Sequence, residues 1–304
     1  MKIFMFYLLA GTLLAGCSDA IPGITHVYAF GDDFSNTNNC LKLFREAVAQ
    51  GQFVADDLKN LEENWEGRLS NGPVAAEILA ERLQVGLTDY AVCAATSGRD
   101  NLLSDIDSLQ NTGLLAQVDR FGSELKGNIA DANALYFLEK GFVDLYANAE
   151  PDTDDEQMSM VAYETIANII TAVTRLSRLG AKKFMVGNAF DFASFPGFIR
   201  EGVAGQASVY QTTLNAELPA KMEKLAKELG VEIDIFDYIA AGDRIRSDPD
   251  QVGLLNLTDP CTEHPIASGN ICADPDEYYY WGHYYLTRVV HQAMGDAMAE
   301  QLSK

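Results

Sequence analysis

Two consecutive carboxylates, Asp32 and Asp33, follow the apolar stretch Val27-Tyr28-Ala29-Phe30, and a third, Asp144, follows Gly141 beyond a second apolar stretch at 134–138. Acidic side chains at the ends of buried strands can do several kinds of chemistry. One carboxylate can act as a nucleophile toward a glycosyl or phosphoryl group. A cluster can hold Ca²⁺ or Mg²⁺ through oxygen ligands. Asp32 and Asp33 are adjacent and offer no loop of alternating oxygen donors, so neither a metal nor a cofactor is expected. The plainer expectation for Asp33 is a carboxylate that is solvated or caps a helix N-terminus, where the dipole favours an anion. Ser35 and His283 form the other candidate pair, a hydroxyl nucleophile with a base. The aromatic run Tyr278-Tyr279-Tyr280-Trp281, with Tyr284 and Tyr285, offers rings with polar edges. Such rings suit sugars, acyl chains or protein partners, or simply pack a core.

A scaffold must bring these groups together. Strand-like apolar runs lie at 27–30, 87–92, 134–138, 183–186 and 231–236. Helical periodicity lies between them: apolar residues recur at 161, 166, 169, 170, 173 and 176 within 158–179, and Gly180 is a natural C-cap. Further helices are expected at 207–229 and 286–302. Alternating strands and helices predict an α/β fold, a three-layer α/β/α sandwich with a mostly parallel five-stranded sheet. Ligands of such sheets bind at the carboxyl ends of the strands, where Asp33, Cys93, Gly141 and the loop before the last helix would meet. Residues 38–65 form a mostly polar insertion that either covers the mouth of that site or decorates the surface. Residues 150–157 form an acidic loop.

The chain has 304 residues, 48% of them hydrophobic, enough for one large core. Its 44 acidic and 22 basic residues give a net charge of −22, which repels nucleic acid and anionic headgroups. Lys2 precedes a short apolar run at 3–15, too short to span a bilayer. Leu14-Ala15-Gly16-Cys17 then resembles a bacterial lipobox. Cleavage before Cys17 would expose a thiol and an amine for acylation, and several acyl chains give stable anchoring; an ordinary signal peptide with a chance cysteine is the alternative. The expected organisation is a signal peptide at 1–16, a lipidated tether at 17–25 and one domain at 26–304. Ser18 in place of an aspartate favours a bacterial outer-membrane location. Four cysteines remain in an exported chain, an even number. Cys261 and Cys272 bracket a loop and should pair; Cys40 with Cys93 is the secondary pairing.

The segment Phe30-Gly31-Asp32-Asp33-Phe34-Ser35-Asn36-Thr37-Asn38-Asn39 resembles the first block of the GDSL (SGNH) hydrolases, F-G-D-S-x-S-D-T-x-N. Gly67-Arg68-Leu69-Ser70-Asn71-Gly72-Pro73 is similar to the family's G-R-F-S-N-G-P. Asp89-Tyr90-Ala91-Val92-Cys93-Ala94-Ala95-Thr96-Ser97-Gly98 is similar to N-Y-A-V-G-G-A-T-S-G, and Gln117-Val118-Asp119-Arg120-Phe121 matches a further stretch. The resemblance covers about 26–302 and implies the SGNH-hydrolase, flavodoxin-like sandwich and a site for acyl or acetyl ester hydrolysis. That chemistry needs a serine nucleophile, a histidine base, an orienting aspartate and oxyanion donors. By this resemblance the serine position holds Asp33 and the oxyanion glycine pair is Cys93-Ala94. The asparagine of G-x-N-D is Val143, the aspartate of W-D-x-x-H is Gly282, and the histidine is Tyr285. The expectation is an envelope protein with an esterase fold that no longer hydrolyses. Its old cleft, around Asp33, Asp144, Trp281, Tyr284 and Tyr285, would bind a glycan, an acyl lipid or an envelope protein, with no nucleic-acid partner. The alternative is an active esterase or lipase using a rearranged Ser35 and His283.

The N-terminal motif generates a direct test. Mass spectrometry of the exported protein should find Cys17 as an acylated first residue; an unmodified N-terminus beyond residue 17, or a retained Met1, is the contrary outcome.

Overall fold

The computed structural model describes residues 23–53, 58, 62, 64–263 and 271–304. The expected signal peptide, Cys17 and most of the tether lie outside them, as does His264.

Five strands form where apolar runs were expected: β1 (His26–Phe30), β2 (Gly86–Asp89), β3 (Leu135–Leu138), β4 (Lys183–Gly187) and β5 (Glu232–Phe236). They make one sheet in the order β2-β1-β3-β4-β5, and every neighbouring pair is parallel. The chain order therefore reverses between β1 and β3, and that switch point opens a crevice at the carboxyl ends of those two strands. β2 stops earlier than the expected residue 92, because the Asp89 carboxylate accepts the N–H of Ala91 at 2.8 Å and turns the chain.

Nine helices complete the described layers: α1 (Asn39–Ala49), α2 (Ala75–Leu83), α3 (Leu114–Glu124), α4 (Phe142–Tyr146), α5 (Asp155–Leu179), α6 (Pro196–Arg200), α7 (Ala204–Leu229), α8 (Tyr238–Ser247) and α9 (Arg288–Leu302). α3, α5 and α7 pack together on one face of the sheet, and α2, α8 and α9 on the other. α5 begins three residues before the expected 158, at a capping box formed by Asp154 and Gln157. It ends at Gly180, whose φ of +119° is a conformation glycine adopts without strain. α9 starts at 288 rather than 286, since the Thr287 hydroxyl donates to the Tyr278 carbonyl. Two short parallel strands that the sequence pattern did not reveal, β6 (Asn256–Pro260) and β7 (Tyr278–Tyr280), lie just before α9. Among the described residues no helix is long and apolar enough to cross a membrane.

Of the two expectations for the insertion at 38–65, a cover for the site or a surface decoration, its described first half fits the former better, since Phe44 lines a cleft with Asp33 and Tyr285. Its first half is α1, which buries Cys40, Leu41, Phe44 and Ala47. These four buried residues share one face of the helix, as an amphipathic helix packed on a core requires. A Cys40–Cys93 disulfide ties α1 to the loop after β2. A Cys261–Cys272 disulfide closes the loop between β6 and β7, with Cα atoms 4.9 Å apart.

The loop after β1 is fixed by one buried amide. Gln117 on α3 accepts from the Gly31 N–H at 3.0 Å and donates to the carbonyls of Gly31 and Thr112, both at 2.8 Å. Gly31 itself must be glycine, because a Cβ there would stand 2.7 Å from the Glu139 carbonyl of the neighbouring strand end. Replacing Gln117 by leucine strands an N–H and two carbonyls away from water. The Gln117→Leu variant should lose roughly 2–4 kcal/mol in urea unfolding; a loss near zero would show that the loop is held elsewhere.

Candidate functional site

Three loops meet at the switch point. After β1, the backbone N–H groups of Ser35 and Asn36 both donate to the Asp32 carbonyl, making a tight turn that lifts Asp33 above the sheet. After β2, the loop from Cys93 to Asn101 folds back on itself. Asn101 donates to the Cys93 carbonyl at 2.8 Å, and the Leu102 N–H to the Ala94 carbonyl at 2.8 Å. After β3 come Glu139, Lys140 and the start of α4.

A buried ion pair joins these loops. Lys140 Nζ lies 3.2 Å from Asp32 Oδ2, both side chains are fully buried, and the same ammonium donates to the Ala95 carbonyl. Glu139 is also buried and accepts from the Ser35 hydroxyl at 3.3 Å. Burial and the charge of Asp32 hold the Glu139 carboxyl well above the usual range. Lys140 and Glu139 did not emerge from the sequence pattern. Their signal was a charged pair placed directly after the apolar stretch 135–138, at the sheet edge where ligands bind.

Asp33 departs from the expected solvated or helix-capping carboxylate. It is 5% exposed, and α1 begins six residues later at Asn39. Its Oδ2 accepts the backbone N–H of Ala94 at 3.0 Å, and its Oδ1 accepts the Tyr285 hydroxyl at 3.1 Å. Ala94 adopts φ +57°, a left-handed conformation that its Cβ disfavours. The braced loop imposes that conformation at a cost of order 1–3 kcal/mol. Burial first, and then the neighbouring Asp32 charge, push the Asp33 carboxyl up to about 7. Burial and Asp33 also push the Tyr285 phenol well up, so it stays a donor.

The other candidates separate into two groups. Val143, Tyr284 and Tyr285 line a cleft of about 280 Å³ together with Asp33, Ala94 and His283. Phe44, Leu69, Leu102, Leu103, Phe142 and Tyr146 make its walls apolar, and Arg200 and Glu201 stand at its rim. Trp281 and Asp144, expected as binding residues, do not line this cleft. Trp281 is buried and donates its indole N–H to Asn64 at 2.8 Å. Asp144 accepts the Ser97 N–H and the Ser97 hydroxyl, the latter at 2.7 Å, so both its oxygens are engaged. Gly282 is buried in the turn between Trp281 and His283. The Ser35 and His283 dyad does not form: Ser35 is directed to Glu139, while His283 Nε2 lies 2.8 Å from Arg200 Nη1. Among the described residues, no group of three or more acidic, histidine or cysteine side chains is arranged to hold a metal. His291 is buried, accepts the Ala75 N–H at 3.2 Å, and is lowered to about 3 by burial, so it serves packing.

The raised carboxyls dictate a pH dependence. Asp33 and Asp89 both sit at about 7, and Asp144 is also raised, each mainly by burial. A carboxyl raised on folding stabilises the fold fully below its unfolded value, and that contribution is lost as pH climbs through the folded value. The urea midpoint should therefore be higher at pH 5 than at pH 8. Asp33→Asn, which keeps the shape and an acceptor for Ala94, should narrow the difference; an unchanged difference would remove Asp33 as a titrating group.

No protein-family model matches the chain. It is 25% identical over 294 residues to the thermolabile hemolysin of Vibrio parahaemolyticus, an alignment covering 91% of this chain and 63% of that protein. The chain thus spans less than two thirds of that relative's length. Among solved structures, a lipolytic protein of the G-D-S-L family from Veillonella parvula aligns over 91% of this chain and 97% of its own, at 11% identity and a TM-score of 0.46. A carbohydrate acetylesterase from Sinorhizobium meliloti aligns over 92% and 98%, at 15% identity and a TM-score of 0.45. A phospholipase A1 from Streptomyces albidoflavus aligns over 92% and 100%, at 13% and 0.42. The chain's own features are a five-stranded parallel sheet with its switch point between β1 and β3 and the sequence blocks that build the loops at its carboxyl edge. In those features the chain is similar to the GDSL (SGNH) hydrolases.

Proposed function

We infer that this protein is a lipid-anchored envelope protein whose hydrolase site has become a binding site. The observation that carries the reading is the pair of hydrogen bonds made by Asp33. In an acyl hydrolase of this fold, a serine would stand at residue 33, a base at residue 285, and the backbone N–H of residue 94 would receive the developing oxyanion. Here one carboxylate takes both the N–H of Ala94 and the hydroxyl of Tyr285. The oxyanion donor is spent on a side chain of the protein itself. An ester carbonyl entering the cleft finds neither a nucleophile nor a free donor at that position, and a carboxylate beside it opposes negative charge. Val143 supplies no donor either, and one missing oxyanion donor costs about 10²–10³ in rate.

The cleft nevertheless stays open, with aromatic and leucine walls. Apolar walls with few polar groups suit an acyl chain better than a glycan, which would need many hydrogen-bond partners. The lipobox around Cys17 supports an envelope location beside such ligands.

The test is an assay of the mature protein with para-nitrophenyl acetate and butyrate. The natural chain should turn over neither above the uncatalysed rate. A variant combining Asp33→Ser, Val143→Asn, Gly282→Asp and Tyr285→His should acquire turnover that a fluorophosphonate abolishes by labelling residue 33. Turnover by the natural chain, with the probe attached to Ser35 or another serine, would overturn the reading.

A further inference from the structure

The cleft has two polar ends, and only one retains donors to offer. At the floor, Ala94 and Tyr285 are spent on Asp33. At the rim, Arg200 Nη1 contacts His283 Nε2 at 2.8 Å. An arginine can only donate, so Nε2 accepts and the ring proton resides on Nδ1. His283 is 7% exposed and lines the cleft, and its Nδ1 has no hydrogen-bond partner among the described residues. A buried donor left unpaired costs about 1–3 kcal/mol, so it marks a place where a ligand acceptor gains most.

Arg200 is unusual in this chain. With twice as many acidic as basic residues, the other arginines are nearly all paired with carboxylates. Arg200 and Arg178 alone form no ion pair among the described residues. Arg178 lies in a shallow surface depression with Arg175 and Asp119, away from the switch point. Arg200 stands on the cleft that opens over Phe142, Leu102 and Leu103. Two carboxylates share the rim, Glu201 and Glu263. Both are exposed, and Glu263 lies 3.3 Å from His283 Nε2, the nitrogen already taken by Arg200. Solvent screens their charges far better than it screens a ligand seated against the wall.

Resting on the reading of the cleft as an acyl-binding site, we propose that its ligand is a single-chain amphiphile with a carboxylate head. Arg200 and the His283 Nδ1–H hold the head at the rim, and the chain lies inward along the leucine and phenylalanine walls. This polarity is the reverse of a hydrolase complex, in which the reacting carbonyl sits at the floor.

Calorimetric titration of the mature protein with sodium decanoate and with 1-decanol, at low and high salt, tests the proposal. Decanoate should bind roughly tenfold or more tightly than decanol, as expected for a charge-assisted hydrogen bond. The preference should shrink with salt and vanish in Arg200→Gln, which alters an exposed side chain and leaves the apolar walls in place. Leu103→Asp, on the cleft wall, should weaken both ligands together. Equal binding of decanoate and decanol, or a preference that persists in Arg200→Gln, overturns the carboxylate assignment while leaving an apolar cleft intact. Failure of both ligands to bind the natural protein overturns the acyl-binding reading as well.

Discussion

The ion pair between Asp32 and Lys140 holds the site in one piece. Each residue follows a different strand, β1 and β3, and Lys140 also reaches the Ala95 carbonyl in the loop after β2. Three loops at the carboxyl ends of β1, β2 and β3 are thereby joined through one ammonium group. Both side chains are removed from water, and taking two charges into a protein interior costs several kcal/mol per ion. Such a pair adds little net stability, but losing one partner leaves an uncompensated buried charge. The arrangement is therefore restrictive: it specifies where Asp33 and Ala94 stand relative to each other more than it stabilises the fold.

That placement decides the chemistry. Asp33 and Ala94 are brought to 3.0 Å, and Tyr285 closes from the other side. The three groups satisfy one another's hydrogen bonds, so this end of the cleft is occupied by the protein's own atoms. On the proposed reading, the carboxylate accepts the hydrogen bonds that an oxyanion would accept in a hydrolase. Its raised titration, at about 7, reflects a charge poorly paid for by its surroundings. The cleft above is left with apolar walls and with donors only at its rim.

The sequence blocks that resemble the family divide by role. Asn36 donates to the Gly67 carbonyl and accepts from the Cys40 N–H, Ser70 donates to the Leu286 carbonyl, and Asn71 accepts the Arg288 N–H. Ser97 and Asp144 bond each other, and Gln117 holds Gly31. All of these build loops. Asp33, Val143, Gly282 and Tyr285 stand where the resembled blocks have serine, asparagine, aspartate and histidine. The loops are held largely by polar side chains that bond backbone.

Apolar periodicity and glycine placement by themselves determined the sheet, its parallel sense and the long helices, since burial of a face at a fixed period is a local property of the chain. The sequence also shows that residues 33, 143, 282 and 285 differ from the blocks they resemble. It could not show that Asp33 is buried rather than solvated, that Ala94 holds φ +57°, or that Trp281 and Asp144 point away from the cleft. Nor could it pair Arg200 with His283, which are 83 residues apart, one ending α6 and the other in the turn before α9. Those facts depend on which loops meet at the switch point and on which donors each side chain finds there. Hydrogen-bond partners and desolvation arise only when distant segments are packed together, so only the tertiary structure decided them.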